Sequence, residues 1–287
     1  MQPPTTTSGS PVHEQGVRTC PACGAANGLT AAFCLQCKHP LDVEITIDAG
    51  RVLRSLLIVI GALAVLSPAT QAMAYYLPEF PGRDLAASLF YMDNEQNVPT
   101  LCSTLLLLVS AILCAMIAHA HHRERGSYVP HWVALALIFS VLALDEFASM
   151  HERATLKVRA LLGIESGALR WAWVVPAGLA VVIFVFVYLR FLGHLPRSTR
   201  RGLWAAGILF VGGAIGFEVL SGPSYVPGAE EQSMAYVFLT TLEETLELLG
   251  VTLLVYTLVS YIPLGLPGAR WRLRVAEARS FKAKPMV

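Results

Sequence analysis

Four cysteines near the N-terminus have the spacing of a metal site. Cys20 and Cys23 form one Cys-x-x-Cys pair, Cys34 and Cys37 form another, and ten residues separate the two pairs. Each pair can turn two thiolates to one side, and two pairs give the tetrahedral sulfur set that binds Zn²⁺. Because four protein ligands leave no open coordination position, the pattern predicts a structural zinc. Two disulfides or four unbound thiols are the less favoured alternatives.

The segment CPACGAANGLTAAFCLQC resembles the bacterial zinc-ribbon family, and the resemblance covers residues 18–41. That family's pattern is Cys-Pro-x-Cys-Gly followed by Phe-Cys-x-x-Cys-Gly, and all four ligand positions are present. The chain departs from the pattern at Lys38, where the family usually has glycine, so the second turn is expected to differ slightly. The resemblance implies a small domain that folds around its zinc. Such a domain would contact a cytosolic protein partner or cap the terminus.

A second set of side chains with metal-binding chemistry lies in the apolar part of the sequence. The stretch LALDEFASMHE alone contributes three carboxylates and one imidazole within about two helical turns. Carboxylates with imidazole suit Zn, Fe or Mn, and carboxylates alone suit Ca or Mg. No phosphate loop, His-Glu-x-x-His or Gly-x-Ser-x-Gly accompanies them, so catalytic residues stay unassigned. The predicted polar or cation site comprises Asp145, Glu146, His151, Glu152, Glu218, Glu243, Glu244 and Glu247, with Asp93 and Glu95 contributing from an outer loop.

Membrane helices are the elements that must position these groups. Of the 287 residues, 55% are hydrophobic and 14% are charged, against about 25% charged in a soluble domain, and the mean hydropathy is +0.56. The net charge of +1 gives no reason to expect a nucleic-acid partner. Six apolar runs have lengths near or above the ~20 residues that cross a bilayer as a helix. They are 54–77, 98–119, 131–150, 170–192, 203–220 and 237–262, and GGAIG in the fifth suggests close helix packing.

Positive charge predicts the orientation of these runs. With the N-terminus in the cytosol, eleven basic residues flank the cytosolic ends and five flank the opposite ends. A zinc ribbon also requires a reducing compartment, so both arguments predict a bacterial inner-membrane protein with cytosolic N- and C-termini. The eleven are Arg51, Arg54, Arg123, Arg125, Arg190, Arg197, Arg200, Arg201, Arg270, Arg272 and Arg274, and the five are Arg83, Arg153, Lys157, Arg159 and Arg170.

On this topology, every acid of the predicted site lies toward the outer side of the membrane. An ionised Asp or Lys at a helix centre costs about 2.5–3.5 kcal/mol, so these acids are expected to face one another in a pocket that opens outward. In a regular helix, His151 would point away from the face shared by Asp145 and Glu152. Three interpretations remain open for the pocket: an ion-pair network with the outer basic residues, a bound divalent or transition metal, or a proton or ion path.

The stretches DNEQNVPT, LDEFASMHE, LPRSTRR and LEETLELLGV together resemble a group of bacterial multi-pass membrane proteins over residues 50–262. The resemblance implies a membrane fold and no particular activity. The expected chain is an all-α, six-helix transmembrane bundle with a small N-terminal zinc ribbon. Its predicted parts are a disordered tail (1–17), the ribbon (18–41), a linker (42–53), the transmembrane domain (54–262) and a basic cytosolic tail (263–287).

Three functions are consistent with this sequence. The first is an integral membrane protein whose outward-facing carboxylate and histidine pocket binds a cation, with metalloenzyme activity as one form of it. The second is a cation- or proton-coupled transporter that uses the same acids. The third is a scaffold or assembly subunit whose ribbon binds a cytosolic partner. The bilayer is the expected partner in all three.

Overall fold

The computed structural model describes residues 17–28, 31, 33–39, 43–123, 125–164, 166–229, 232–262 and 271–276. These residues belong to two compact units. The predicted disordered tail lies outside the described residues except for Val17, and so does most of the predicted basic tail.

The first unit contains the four cysteines and short strands. Strands β1 (Val17–Thr19) and β2 (Ala26–Gly28) pair in antiparallel fashion, with Arg18 opposite Asn27. Strand β3 (Val43–Asp48) pairs with β4 (Trp271–Ala276). Half of the predicted linker is therefore a strand, and its partner comes from the basic segment after the last helix.

The second unit is all α-helical in its described part. Its helices are α1 (Ala49–Tyr76), α2 (Arg83–Phe90), α3 (Val98–Arg123), α4 (Val129–Ala148), α5 (Met150–Leu162), α6 (Val174–His194), α7 (Arg197–Val211), α8 (Glu218–Ser221) and α9 (Met234–Tyr261). A π-helical turn (Gly212–Phe217) joins α7 to α8, and a 3-10 turn (Gly222–Ser224) follows. Helices α2 and α5 were not predicted, because they lie outside the apolar runs.

Five helical segments are long and apolar enough to cross a membrane: α1, α3, α4, α6 and the continuous segment Arg197–Ser224. The chain is therefore a membrane protein by length and composition. Helix α9 is not among the five and carries three glutamates near its middle. It packs against α1, α3 and α7. Large apolar side chains such as Val65 and Phe186 remain exposed on the outer helices, as expected for surfaces solvated by lipid.

Side-chain contacts give the direction of each long helix relative to α9. Ser67 in the second half of α1 hydrogen-bonds Thr241 near the start of α9 at 3.0 Å, so these two helices are antiparallel. His121 near the end of α3 bonds Tyr261 at the end of α9 at 3.0 Å, so that pair is parallel. Trp132 near the start of α4 stacks on Tyr261 with ring centroids 5.2 Å apart. Successive long helices therefore alternate in direction.

One end of this bundle is built from aromatic and histidine rings. Trp132 and Phe191 are almost completely buried there, and their rings meet edge to face at 5.0 Å. The ring of His131 stacks on Phe191, and Tyr188 donates a hydrogen bond to the His131 carbonyl. The core around them also includes Cys114. This end of the bundle is packed like the core of a soluble protein. The acids predicted to form the pocket lie toward the opposite end.

Candidate metal and acidic site

The four cysteines form a cluster that could hold a metal ion, with their sulfur atoms all within 4.8 Å of one another. Cys20 and Cys37 are 3.6 Å apart, and so are Cys23 and Cys34. A disulfide bond is about 2.05 Å long, and all four cysteines are free thiols. Tetrahedral zinc with Zn–S bonds of about 2.3 Å would separate its sulfurs by nearly 4 Å, so the cluster has the dimensions of a zinc site.

Two matching turns build this cluster. Gly24 follows the first pair with a φ of 71° and donates to the Cys20 carbonyl at 2.8 Å. Lys38 follows the second pair with a φ of 60° and donates to the Cys34 carbonyl at 2.9 Å. The expected difference in the second turn is therefore absent: Lys38 adopts the left-handed conformation that glycine would adopt more easily. Asn27 donates to the Cys34 sulfur and joins the two turns.

The electrostatics of the thiols also favour a bound cation. The backbone N–H of Cys37 lowers the pKa of Cys34 to about 6. At Cys23, the N–H of Ala25 acts in the same direction, but the hydrogen-bonded Cys37 thiol and partial desolvation raise its pKa to about 12. Without a cation, a thiolate at one position therefore makes ionisation of a neighbour harder. A bound metal would stabilise all four thiolates.

The second unit places Glu95, His151 and Glu152 together, with one ligand atom of each within 4.8 Å of the others. Glu95 lies in the segment between α2 and α3, and the other two lie at the start of α5. One oxygen of Glu95, Oε2, is buried and has no described hydrogen-bond donor. An unpaired buried acceptor beside an imidazole and a second carboxylate is what a cation would satisfy.

A break between α4 and α5 brings His151 into this group. Ser149 adopts a left-handed conformation with a φ of 50° and ends α4. Asp145 then accepts hydrogen bonds from the backbone N–H and from Nδ1 of His151, both at 2.9 Å. The expectation that His151 points away from Asp145 assumed a regular helix, and it is wrong because the helix ends at Ala148. The bond at Nδ1 leaves Nε2 as the free ring nitrogen, and carboxylates commonly orient metal-binding histidines in this way.

Charge around these three side chains changes their protonation. Burial lowers the pKa of His151, but the hydrogen bond and the negative charge of Asp145 outweigh it and raise the pKa to about 9. Desolvation and the Glu152 carboxylate raise the pKa of Glu95, while desolvation and Glu218 raise that of Glu152. Burial also raises the pKa of the nearby Asp93 to about 7, although hydrogen bonds from Tyr91 and Tyr236 oppose it. A cation would relieve this excess of negative charge.

The remaining predicted acids lie close enough to interact with this group. Glu247 interacts electrostatically with Glu146, Glu218, His151 and Asp145. Glu244 interacts with Glu247, Glu146, Asp93 and Glu95. Glu243 is 6% exposed and interacts electrostatically with Glu218. We use the name acidic cluster for Asp93, Glu95, Asp145, Glu146, His151, Glu152, Glu218, Glu243, Glu244 and Glu247.

Small residues and a π-helical turn allow α9 to meet the preceding helix closely here. A Cβ atom at Gly213 would lie 2.8 Å from the Glu243 carbonyl oxygen and 2.9 Å from Cγ of Glu247. The close packing predicted from GGAIG is therefore present. A π-helical turn inserts one residue into a helix and re-aims the side chains that follow it. Here the next residue is Glu218, which interacts electrostatically with Glu243.

Sequence reasoning missed several neutral partners of the acids. Trp173 packs its ring against His151 with centroids 5.0 Å apart, and its Nε1 donates to Glu218 at 2.9 Å. The side chains of Ser149 and Ser103 lie near the carboxyls of Glu95 and Glu146 and interact with them. A tryptophan or serine near a membrane surface is ordinary, so no signal in one sequence identifies these partners.

Among the described residues, the outer basic residues form few ion pairs with the acidic cluster. Arg170 lies 4.2 Å above the ring of Tyr225. Between described residues, the ion pairs are Arg83 with Asp84 and His151 with Asp145. Arg153 interacts with Glu152 only through its charge. The ion-pair interpretation of the acids is therefore weaker than it was from the sequence alone.

Residues 56–261 match the model of a family described as Domain of unknown function (DUF8692). The match covers more than half of the chain and does not include the four cysteines. No curated protein and no solved structure matches the chain.

Proposed function

The chain belongs to the DUF8692 family, and we propose that this member binds a divalent or transition-metal cation through Glu95, His151 and Glu152. The observation that carries the proposal is the buried Glu95 Oε2, which has no described donor and lies beside the other two ligands. Asp145 holds the ring of His151 for this purpose. Three protein ligands leave a coordination position open, which is typical of reactive rather than structural metals. A metalloenzyme is the form of this function that we favour.

The same proposal includes a structural zinc at the four cysteines of an N-terminal ribbon. The sulfur distances and the free thiols support it. The metal would supply most of the folding energy of so small a module.

The proposed topology is six membrane spans in a bacterial inner membrane, with α9 as the sixth and both termini in the cytosol. The alternating directions of the long helices support an even number of crossings. The distribution of basic residues supports the orientation. In this arrangement, the acidic cluster faces outward. Labelling of single cysteines from each side of sealed vesicles tests the orientation, and an acidic cluster reached only from the cytosol would contradict it.

Metal analysis of the purified full-length protein tests both sites at once. We expect two metal ions per chain in the wild type. Cys34→Ser should lose only the zinc, and His151→Ala should lose only the second metal. His122→Ala changes an exposed histidine at the end of α3 and serves as the control. A single zinc per chain that is lost with Cys34→Ser and kept in His151→Ala would refute the second site.

A second candidate function is cation or proton transport through the same acids. It is favoured by Glu146, Glu244 and Glu247, which extend the cluster beyond the three proposed ligands. Proton or cation flux into liposomes that is abolished by Glu247→Gln and retained in the exposed control Glu79→Gln would establish transport. Absence of flux in wild-type liposomes would leave the binding function.

The third candidate is a scaffold whose ribbon binds a cytosolic protein. Phe33 and Leu35 favour it, because both are more than half exposed on the small Cys₄ module. Exposed apolar side chains in such a module are common features of protein-binding surfaces. Loss of a co-purifying cytosolic protein from Phe33→Ser, with the zinc retained, would support this role.

A further inference from the structure

Arg170 and Trp171 lie in the connection between α5 and α6, and each carries a nitrogen donor that is not used. Nε of Arg170 and Nε1 of Trp171 are shut off from solvent, and neither has an acceptor among the described residues. The guanidinium carbon of Arg170 lies 5.9 Å from the centre of the Trp171 ring, so the two side chains are neighbours. A buried donor without an acceptor destabilises a fold. Two of them side by side therefore point to an acceptor that comes from outside the chain.

Tyr225 and a close backbone contact hold the two side chains in place. The guanidinium carbon of Arg170 lies 4.2 Å from the centre of the Tyr225 ring, and the Trp171 ring meets the same ring edge to face at 5.4 Å. A Cβ atom at Gly222 would lie only 2.8 Å from the carbonyl oxygen of Gly167. That oxygen also accepts from the backbone N–H of Arg170 at 3.0 Å. The turn before Arg170 is therefore anchored on the turn before Tyr225, and the donors are positioned without a ligand.

The described acids do not pair with this guanidinium. Tyr236 packs edge to face on the ring of Tyr225 at 5.5 Å, and its hydroxyl donates to Asp93 at 3.3 Å. Arg170 is thus connected to Asp93 through two aromatic rings rather than through an ion pair. The ion pairs between described residues do not include Arg170. Its positive charge is therefore available to an anion from outside.

The position of these side chains is the level at which a bilayer carries its phosphate groups. Arg170 comes shortly before α6, and Tyr225 directly follows the membrane-length segment Arg197–Ser224. Leu169 and Val226, the sequence neighbours of these two residues, expose apolar side chains. Arginine beside aromatic rings at the end of a membrane helix is a suitable partner for a lipid phosphate.

We propose that Arg170 and Trp171 bind a phosphate oxyanion, with the guanidinium edge and the indole N–H donating to its oxygens. A guanidinium matches phosphate oxygens in a bidentate manner, and Arg170 is only half-buried, so a ligand can approach it. The phosphate of a phospholipid and a soluble phosphate ester share this chemistry. The acidic cluster repels a free anion, whereas a phospholipid also gains apolar contacts, so the surroundings favour the lipid. The site does not include Glu95, His151 or Glu152, and it stands whether or not those residues bind a metal.

Calorimetric titration of the delipidated full-length protein in detergent tests the site with three ligands. They are dihexanoyl phosphatidylglycerol, glycerol phosphate, and dihexanoylglycerol, which has the same chains without a phosphate. We expect the wild type to bind the phosphatidylglycerol. Arg170→Gln should weaken this binding about 10- to 100-fold and Trp171→Phe about 10-fold, because each loses hydrogen bonds to a charged oxygen. Trp171→Phe keeps an aromatic ring against Tyr225 and is expected to fold, and Arg170→Lys, which keeps the charge without the fork, should bind with intermediate affinity.

Lys157→Gln is the matched control, because it removes one exposed positive charge from the same connection between α4 and α6. It should leave the affinity unchanged, and an equal weakening by this variant would overturn the proposal in favour of general surface charge. Glycerol phosphate that binds as tightly as the phospholipid would support the site and identify a soluble ester as its ligand. Failure of both phosphate compounds to bind would overturn the proposal, and so would equally tight binding of dihexanoylglycerol. The metal content of Arg170→Gln should stay at the wild-type level, which separates this site from the metal site.

Native mass spectrometry of the protein released from membranes gives an independent measurement. We expect the wild type to retain a bound phospholipid, and we expect Arg170→Gln and Trp171→Phe to lose it under the same conditions. The Lys157→Gln control should retain the lipid. A phospholipid kept equally by the wild type and by both site variants would contradict the proposal.

Discussion

The Cys₄ module and the acidic cluster both bring metal-binding atoms within 4.8 Å of one another, but their ligands are positioned in opposite ways. In the Cys₄ module, the outermost ligands Cys20 and Cys37 are only 17 positions apart, and each turn closes on its own backbone. In the acidic cluster, Glu95 comes from the segment before α3, while His151 and Glu152 begin α5. There, the approach depends on the packing of whole helices.

This difference predicts how each site depends on its metal. The described residues of the Cys₄ module bury two cysteines and a few small neighbours. Because this is little apolar burial, we expect the fold to depend on the proposed metal. The acidic cluster sits on helices that pack through Gly213 and through the Ser67–Thr241 bond. Removing a cation from that cluster should leave the helices in place.

The largest expected effect is the loss of structure in the Cys₄ module when the proposed zinc is removed. Cys34→Ser should abolish amide hydrogen-exchange protection in residues 17–39, because the module has almost no core of its own. Protection in α9 should stay at the wild-type level. Cys102→Ser, a half-buried cysteine of α3, is the matched control and should change neither segment.

The comparison fails if residues 17–39 remain protected in Cys34→Ser. It fails equally if His151→Ala removes protection from α9, because the acidic cluster would then also depend on its metal for folding.

A second prediction concerns the close approach that positions the acidic cluster. Gly213→Val should destabilise the protein by about 3 kcal/mol, since added side-chain atoms would press on the backbone of α9. Gly216→Val, in the same π-helical turn, has open space at its Cβ and should cost much less. Thermal unfolding in detergent measures both. Equal losses for the two variants would show that helix propensity, rather than contact with α9, sets the cost.

The sequence predicted the Cys₄ module better than it predicted the acidic cluster. Cys-x-x-Cys spacing determines which sulfur atoms can meet, so the clustering of the four cysteines follows from the chain alone. Of the six membrane-spanning runs that the sequence predicted, five are helices long and apolar enough to cross a membrane, because length and hydropathy are local properties. Helices α2 and α5 escaped prediction because they are short and only partly apolar. Lys38 adopts the turn expected of glycine, which composition alone does not indicate.

The geometry around His151 could not be predicted, because it depends on the break between α4 and α5, for which the sequence contains no signal. Serine at position 149 is not a residue that favours a left-handed conformation, yet it ends α4 there. The contact of Trp173 with Glu218 joins two segments 45 positions apart. A single sequence indicates that the acids must find partners, but it does not specify which neutral side chains those partners are.

A third prediction tests the role of Asp145 in orienting His151. Asp145→Asn should weaken binding of the second metal by about 10- to 100-fold, the usual effect of losing a carboxylate that orients a ligand histidine. The secondary structure should remain. Titration of the metal-depleted protein with zinc or manganese measures the affinity, and Asp84→Asn is the control, because Asp84 pairs with Arg83 outside the cluster.

The same variant makes a prediction about pH. In the metal-free protein, Asp145 raises the pKa of His151 from 6.5 to about 9. The ion pair therefore stabilises the fold fully below pH 6.5, and this contribution is lost as the pH rises through about 9. Metal binding at pH 8 should release close to one proton from His151 in the wild type and fewer in Asp145→Asn. Calorimetry in buffers with different ionisation enthalpies measures this release, and an unchanged release would exclude Asp145 as the cause.

The smallest predicted effect lies in the second turn of the Cys₄ module. Lys38 has a φ of 60°, which a side chain disfavours and glycine accepts readily. Lys38→Gly should therefore stabilise the zinc-bound module by about 0.5–1 kcal/mol, the amount by which the relief of backbone strain exceeds the greater chain entropy of glycine. Competition with a zinc chelator measures the gain as tighter retention of the metal. Gln36→Gly is the control, because Gln36 has no positive φ to relieve and the substitution should weaken retention. If Lys38→Gly also weakened it, the left-handed turn would not be strained, and the module would owe its geometry to the metal alone.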